Sequence, residues 1–443
     1  MTNSDFNRVL QRPVSFGTVQ GTFAVRALSS CSTLLLLACG ASNSGTRANV
    51  EGAAGSGGAA AIAGSSGMAA GSGGAVNGTS GGGSSGSGTS AGGSQAVQPP
   101  IKKCDGLAAA GIWESVTPPR VNENKTFTGA LMPIVNPITS AVYVMTDGNG
   151  VFRSADCGSS WQKMNTGRNA DKLDSGRIWA AIIDPVNPDT LYALTGYGAG
   201  GLWKTTNGGV DWDQTLPAQS EVATTAGGFV ERVAMDPEDP KHLLINFHNN
   251  CGGSHTPICF GESKDGGGTW TLRDFPKELS GSWGEGSGMV LLSSKVWLYG
   301  QGNLFRTTDA GATWAQIPAG ADYPCFPGDS RITKTPDGAL YLGVSQGVVR
   351  STDSGASWAA LPNSGRHICS VIGDGKRLFA FTSDNPQQVF AAPYTDVMNW
   401  AKLDTPGLSE DLSQYMYVVA YDNTHHLLYA AAQASGVFRV VTQ

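Results

Sequence analysis

The sequence predicts an all-β protein, a seven-bladed β-propeller of four-stranded antiparallel blades. Three observations carry this. A short turn motif recurs five times, each copy ends on a tryptophan that opens a strand-like run, and further strand-like runs with turn signals precede most copies.

The five copies are Ser154-Ala-Asp156-Cys-Gly158-Ser-Ser-Trp161, Thr205-Thr-Asn207-Gly-Gly209-Val-Asp-Trp212, Ser263-Lys-Asp265-Gly-Gly267-Gly-Thr-Trp270, Thr307-Thr-Asp309-Ala-Gly311-Ala-Thr-Trp314 and Ser351-Thr-Asp353-Ser-Gly355-Ala-Ser-Trp358. From Trp161 to Trp358 the intervals are 51, 58, 44 and 44 residues. Only the second copy departs from Ser/Thr-x-Asp-x-Gly-x-Ser/Thr-Trp, with Asn207 for Asp and Asp211 for Ser/Thr. An Asp or Asn side chain accepts hydrogen bonds from its own turn, and the glycine supplies a positive φ. The tryptophan buries a large ring against the sheet and has one N–H to satisfy.

Ahead of the motif lie two strands of β-branched and aromatic residues. Examples are Ala141-Val-Tyr-Val144 then Gly150-Val-Phe-Arg153, Leu191-Tyr-Ala-Leu194 then Gly201-Leu-Trp-Lys204, and Leu340-Tyr-Leu-Gly343 then Gly347-Val-Val-Arg350. Turns such as Asp184-Pro-Val-Asn-Pro188 and Asp236-Pro-Glu-Asp-Pro240 separate the first strand of a unit from the second. Each unit therefore reads as one propeller blade. A sixth unit runs from Leu378-Phe-Ala-Phe381 to Trp400 with a degraded turn, Tyr394-Thr-Asp396-Val-Met-Asn-Trp400. A seventh has Leu427-Leu-Tyr-Ala430 and Gly436-Val-Phe-Arg439 but no tryptophan strand. The run Gly111-Ile-Trp113-Glu-Ser-Val-Thr-Pro118 supplies one from the other end, so the N-terminal strand is expected to close the last blade and remove the open sheet edge.

The chain has 443 residues with a formal net charge of −6, which offers no basic field to nucleic acid. Two materials are joined in it. Residues 40–103 are rich in Gly, Ser and Ala and read as a flexible tether, whereas residues 104–443 have the composition of a globular domain. Upstream, Arg26 precedes an apolar run ending Leu36-Leu37-Ala38-Cys39, so residues 1–39 read as a signal region. That ending resembles a bacterial lipobox, which implies lipidation of Cys39, export, and anchoring at the cell envelope. The polar residues 1–24 ahead of it point to a true translation start near Val25.

After Cys39 there are six cysteines, an even number that suits an exported domain with three disulfides. Cys251 and Cys259 bracket a short loop and are expected to pair. The blade count places Cys104 beside Cys157 across the closure and Cys325 beside Cys369 in adjacent blades, though six cysteines allow 15 connectivities. The spacings lack the C-x-x-C form of a zinc site; no metal and no cofactor is expected.

Repeat-equivalent Asp residues belong to separate blades and cannot converge on one substrate, so the motif carboxylates read as turn supports. Ligand chemistry is expected at the channel mouth, from loops entering the innermost strands and turns between second and third strands. Carboxylates there are Asp171, Asp174, Glu231, Glu285 and Asp329, the candidates for catalysis. Arg177, Arg232, Trp283, Tyr323, Arg331, His367 and Tyr415 are the candidates for binding. Rings that stack on pyranose faces, beside groups that bind hydroxyls, suit a polysaccharide.

The repeat over about residues 104–443 resembles the Asp-box propellers of the sialidase and xyloglucanase superfamily. Sialidases are six-bladed and carry Phe-Arg-Ile-Pro, where this chain has Ser330-Arg331-Ile332-Thr333. The Asp184-Pro-Val-Asn-Pro188 turn and the Gly201-Leu-Trp-Lys204 strand are closer to xyloglucan-cleaving members. Those use two facing propellers, each giving one aspartate, and this chain has one. The resemblance implies a monomeric surface lipoprotein that recognises an extracellular glycan and, if it is an enzyme, a glycoside hydrolase. A seven-bladed relative that assists photosystem assembly implies the alternative, a non-catalytic scaffold that binds a surface protein in envelope assembly or adhesion.

Overall fold

The computed structural model describes residues 104–121, 129–196, 200–217, 220–225, 230–277, 288–301, 303–318, 332–384, 386–408, 418–432 and 435–443. The signal region with Cys39 and the tether lie outside them, as do Glu285, Asp329, Trp283, Tyr323, Cys325, Arg331 and Tyr415.

The strands form seven four-stranded antiparallel sheets, as the repeat predicts. β1 (Trp113–Ser115) comes first in the chain. Blade 1 is β2 (Ala130–Val135), β3 (Val142–Thr146), β4 (Val151–Ser154) and β5 (Gln162–Lys163). The one-turn helix α1 (Ala170–Asp174) leads to blade 2, comprising β6 (Ile178–Ile183), β7 (Leu191–Thr195), β8 (Gly201–Thr205) and β9 (Asp213–Pro217). A second single turn, α2 (Glu221–Thr225), leads to blade 3: β10 (Val230–Met235), β11 (Leu243–Phe247), β12 (Cys259–Ser263) and β13 (Thr271–Asp274). Blade 4 is β14 (Gly288–Leu291), β15 (Trp297–Gln301), β16 (Asn303–Thr307) and β17 (Ala315–Ile317). Blade 5 is β18 (Thr333–Lys334), β19 (Leu340–Val344), β20 (Gly347–Ser351) and β21 (Ala359–Ala360). Blade 6 is β22 (Ile368–Gly373), β23 (Arg377–Thr382), β24 (Val389–Pro393) and β25 (Ala401–Lys402), and blade 7 is β26 (Val418–Asp422), β27 (Leu427–Ala432) and β28 (Gly436–Val441). β1 lies antiparallel against β28, with Trp113 opposite Val440 and Ser115 opposite Phe438.

The apolar core sits between blades. One cluster joins Tyr143 and Met145 of blade 1 to Trp203 and Trp212 of blade 2, and another joins Phe260 and Phe275 to Trp297 and Tyr299 across blades 3 and 4. Trp113 packs edge-on against Phe381 at 6.4 Å, between blades 6 and 7.

The repeated turns are the joints of the ring. Asp309 Oδ1 accepts the Thr313 N–H at 2.8 Å, its Oδ2 accepts the Thr313 hydroxyl at 2.6 Å, and Thr307 donates to Oδ1 at 2.7 Å. Those bonds, the Thr313 hydroxyl first, hold the Asp309 carboxyl at about 2. Asp156, Asp265 and Asp353 make the same set within their own turns. Between Asp and Gly lies a residue at positive φ, such as Cys157 at 61° or Ser354 at 56°. At three of the turns its carbonyl accepts a bond from a cation of the preceding blade. Arg439 of blade 7 donates to Cys157 O at 2.6 Å, Lys204 of blade 2 to Gly266 O at 2.9 Å, and Arg306 of blade 4 to Ser354 O at 2.9 Å. The motif glycine allows the approach: a Cβ on Gly355 would stand 3.0 Å from Leu298 of blade 4.

Blade 3 departs from this scheme. Glu262 occupies the cation position, opposite Leu244 as Arg306 is opposite Leu298. His242 lies between two carboxylates, Nδ1 to Asp236 Oδ2 and Nε2 to Glu262 Oε1, both at 2.9 Å. Arg273 pairs with Glu262 at 3.1 Å and stands over the Trp297 ring of blade 4, 5.6 Å from its centroid.

Two disulfides join described cysteines, Cys104–Cys157 and Cys251–Cys259, separated by 53 and 8 residues. Loop-closure entropy assigns them about 4 and about 2.5 kcal/mol, so the pair at the ring closure constrains the unfolded chain more. Cys369 is also disulfide-bonded, and its expected partner, Cys325, lies outside the described residues.

Arg439, almost wholly buried, also donates to Glu114 of β1 at 3.1 Å. Arg439→Met strands both acceptors and is expected to cost about 3 kcal/mol in urea unfolding; a loss below about 0.5 kcal/mol would remove the joint from the account. The bond to Glu262, opposed by burial and aided by Asp236, raises the His242 pKa above its ordinary value. Its stabilisation is complete below about pH 6.5 and lost as pH rises through the higher folded value. The stability gap between wild type and His242→Gln should therefore be largest near pH 6 and shrink toward pH 9. A gap that stays constant with pH contradicts the ion-pair reading.

Candidate functional site: the entry mouth

In an antiparallel meander the start of the first strand and the turn joining second to third lie at one end. That end is the entry face, and the repeated Asp turns lie at the other. The innermost strands enclose a cavity of about 620 Å³, with Met132, Ala181, Val233, Met289, Val371 and Val419 in its wall. The bore is mostly apolar, with Arg232, Asp236 and Thr333 among the polar residues of its wall.

Four inner strand pairs carry an extra residue near the entry face. The register shifts between Ala130 and Met132, Ile178 and Ala180, Val230 and Arg232, and Ile368 and Ser370. A bulge re-aims a side chain out of the alternation. The inserted residues are Leu131, Trp179, Glu231 and Cys369, which are equivalent in the repeat yet chemically unlike.

Blades 1 and 2 bring three functional groups together. Asp147 ends the second strand of blade 1, Arg177 precedes the first strand of blade 2, and their backbones form an isolated antiparallel bridge. Arg177 Nε lies 2.9 Å from Asp147 Oδ2, and its guanidinium stands 5.9 Å from the Trp179 ring centroid. Burial raises the Asp147 pKa above the usual carboxylate range, and Arg177 offsets this only in part. In blade 3 the buried Glu231 accepts a bond from Asn246 Nδ2 at 3.3 Å, and Arg232 contributes to the cavity wall. The disulfide loop from Cys251 to Cys259 lies between the second and third strands of the same blade, on the entry face. There His255 pairs with Asp274 at 2.9 Å.

The other described candidates are placed differently. Asp171, on α1, is mostly exposed and pairs with its neighbour Lys172 at 3.1 Å. Asp174 holds Lys163 and the Asn165 amide, both at 2.7 Å, and so braces the loop into blade 2. His367 lies between blades 5 and 6 at φ 49°, with Nδ1 3.0 Å from Asp384. The structure thus brings Arg177 to a carboxylate and a ring that sequence reasoning had not selected. The Asp147-Gly-Asn-Gly turn joins a second strand to a third, and that position was the available signal for Asp147. Trp179 was concealed because only the bulge distinguishes it from its strand neighbours. Among the described residues, Cys104, Cys157 and His425 form a group with metal-ligand atoms, on the opposite face from this mouth.

These features define a seven-bladed propeller with a largely apolar bore and, on the entry face, a group formed by Asp147, Arg177 and the part-buried Trp179. No protein-family model matches the chain. A curated Paenibacillus xyloglucanase is 25% identical over 238 residues, 47% of this chain but 22% of that protein's length. Similar solved folds include a Niastella koreensis GH74 enzyme, at 20% identity and TM-score 0.54, covering 71% of this chain and 53% of the other. The GH74 xyloglucanase of Xanthomonas campestris follows at 17% identity and TM-score 0.51, covering 75% and 54%. YCF48 bound to D1 peptide is matched at 12% identity and TM-score 0.51, covering 75% of this chain and 97% of the other. The chain thus spans about a fifth of its curated relative and about half of the GH74 structures.

Arg177→Met is expected to leave Asp147 buried without its partner, to lower stability by about 2 kcal/mol and to move the Asp147 pKa further up. A carboxyl-resolved NMR titration checks the direction; an unchanged or lowered value would break the pairing argument.

Proposed function

We propose that this propeller binds an extracellular polysaccharide, a β-glucan of the xyloglucan type, across the entry mouth of blades 1 to 3. The observation that carries the reading is the Asp147–Arg177–Trp179 group. An indole offers a flat apolar surface to a pyranose face, while the carboxyl and guanidinium beside it offer donors and acceptors to hydroxyls. The sequence similarity to a xyloglucanase supports the choice of glycan. Cleavage is a separate step, since glycoside hydrolysis needs two carboxyl groups about 5–10 Å apart. Asp147, whose proton is held to higher pH, and Glu231 are the groups to remove in testing it. The repeat is of the Asp-box kind, and the protein acts as a monomer, exported and held at the bacterial envelope by a lipid on Cys39.

Glycan-array binding and reducing-sugar release with the purified protein test this directly. Trp179→Ala is expected to weaken β-glucan binding at least tenfold, with the fold intact by circular dichroism. Asp147→Asn and Glu231→Gln should abolish release while leaving binding measurable. Retention of no glycan by the wild type rejects the reading. Cys39→Ser is expected to move the protein from the membrane fraction to the soluble fraction, and an unchanged distribution rejects the anchor.

One observation favours a second reading, a scaffold for a surface protein. On the turn face Ile138 and Val186 stand 54% and 67% exposed, in turns that follow the inner strands of blades 1 and 2. Apolar side chains left in water on the equivalent turns of two neighbouring blades suit a protein partner better than a sugar. Ile138→Asp with Val186→Asp would abolish such an association and leave glycan binding unchanged.

A further inference from the structure

We infer that the ring-closing cysteines form, once reduced, a binding site for a soft divalent cation such as zinc, with His425 as third ligand. The ligand atoms of Cys104, Cys157 and His425 all lie within 4.8 Å of one another. Tetrahedral zinc with bonds of about 2.0–2.3 Å holds its ligands roughly 3.3–3.8 Å apart, so once the disulfide is broken the two sulfurs must separate to about that distance while the imidazole closes the remaining gap. The three come from separate parts of the chain: the segment ahead of β1, the turn of blade 1, and the turn between β26 and β27.

His425 Nδ1 lies 2.6 Å from Asp422 Oδ2. With Nδ1–H donating to that carboxylate, the lone pair sits on Nε2. This is the carboxylate–histidine arrangement that fixes a metal-binding imidazole. Asp422 is buried, which prevents it from turning to solvent. Cys157 is held through its carbonyl by Arg439, and its position in the turn does not depend on the disulfide alone. Cys104 and the His425 side chain are partly exposed, so a reductant and an ion can reach the group.

The chemistry balances. A dithiol reductant transfers two electrons and two protons to the disulfide, giving two thiols and its own cyclic disulfide. Zinc entry then releases both thiol protons and forms two Zn–S bonds and one Zn–N bond, with water at the fourth position. The same closure of the ring can thus be made by a sulfur–sulfur bond or by an ion, according to the redox state around the chain.

Cobalt tests the site in the whole protein, reduced with a phosphine and kept under anaerobic conditions. Reduced wild type should bind one cobalt with a thiolate-to-metal charge-transfer band, and the oxidised protein should show none. The band should vanish in Cys104→Ser and Cys157→Ser and persist in the Cys251→Ser, Cys259→Ser double variant. His425→Ala and Asp422→Asn should each weaken binding tenfold or more. No band in the reduced wild type, a band that survives Cys157→Ser, or affinity indifferent to His425 would overturn the site. Should reduction unfold the chain, zinc must restore the near-ultraviolet circular dichroism of the folded form, and failure to do so overturns it equally.

Discussion

The architecture depends on a backbone carbonyl presented at a left-handed residue. Each motif turn places one residue at positive φ between its Asp or Asn and its glycine, and at three of them that residue's carbonyl accepts a bond from the preceding blade. At three joints a lysine or arginine on the preceding blade's third strand reaches it. Between blades 6 and 7, where no such turn exists, Arg377 donates to the Thr442 carbonyl instead. The aspartate shapes the turn, the glycine lets the neighbouring blade come close, and the cation bonds the two. In blade 3 the third-strand residue is Glu262, so the joint to blade 4 is rebuilt from His242 and Arg273.

Much of this was legible in the sequence because repetition reports on itself. Five motif copies and two units that keep the frame without the motif gave the blade number and strand order, and the short Cys251–Cys259 loop and the blade count made two disulfides readable. The joints were not legible. Lys204 and Gly266 are 62 residues apart and belong to different repeats, and no local periodicity connects them. The mouth was legible as a place but not as a set of residues. Asp174 and Asp147 look alike in sequence, yet one braces Lys163 and the other is buried beside Arg177.

The two faces divide the labour. On the turn face one kind of bond recurs, a cation on a backbone carbonyl, at three joints in the same form and at the joint between blades 6 and 7 in another. On the entry face equivalent positions differ. Leu131, Trp179, Glu231 and Cys369 fill the same bulge in four blades, and each gives its blade a different chemistry. The bulge separates the mouth from the bore, so side chains at the rim can change while the strand below keeps its packing.

Cys, Gly, Gly, Ala and Ser occupy the left-handed position in the five turns. Backbone atoms do the work there, the carbonyl toward the preceding blade at three turns and the N–H of Gly208, Gly266 and Ala310 toward the carbonyls of Asp189, Lys241 and Lys295, so a small residue that tolerates the conformation suffices. A cysteine could therefore be recruited without dismantling a contact. Cys157 keeps its carbonyl bond to Arg439 while its sulfur ties down the segment that leads into the ring. One residue is both a joint between blades and the lock on the last of them, because the two tasks fall on different atoms.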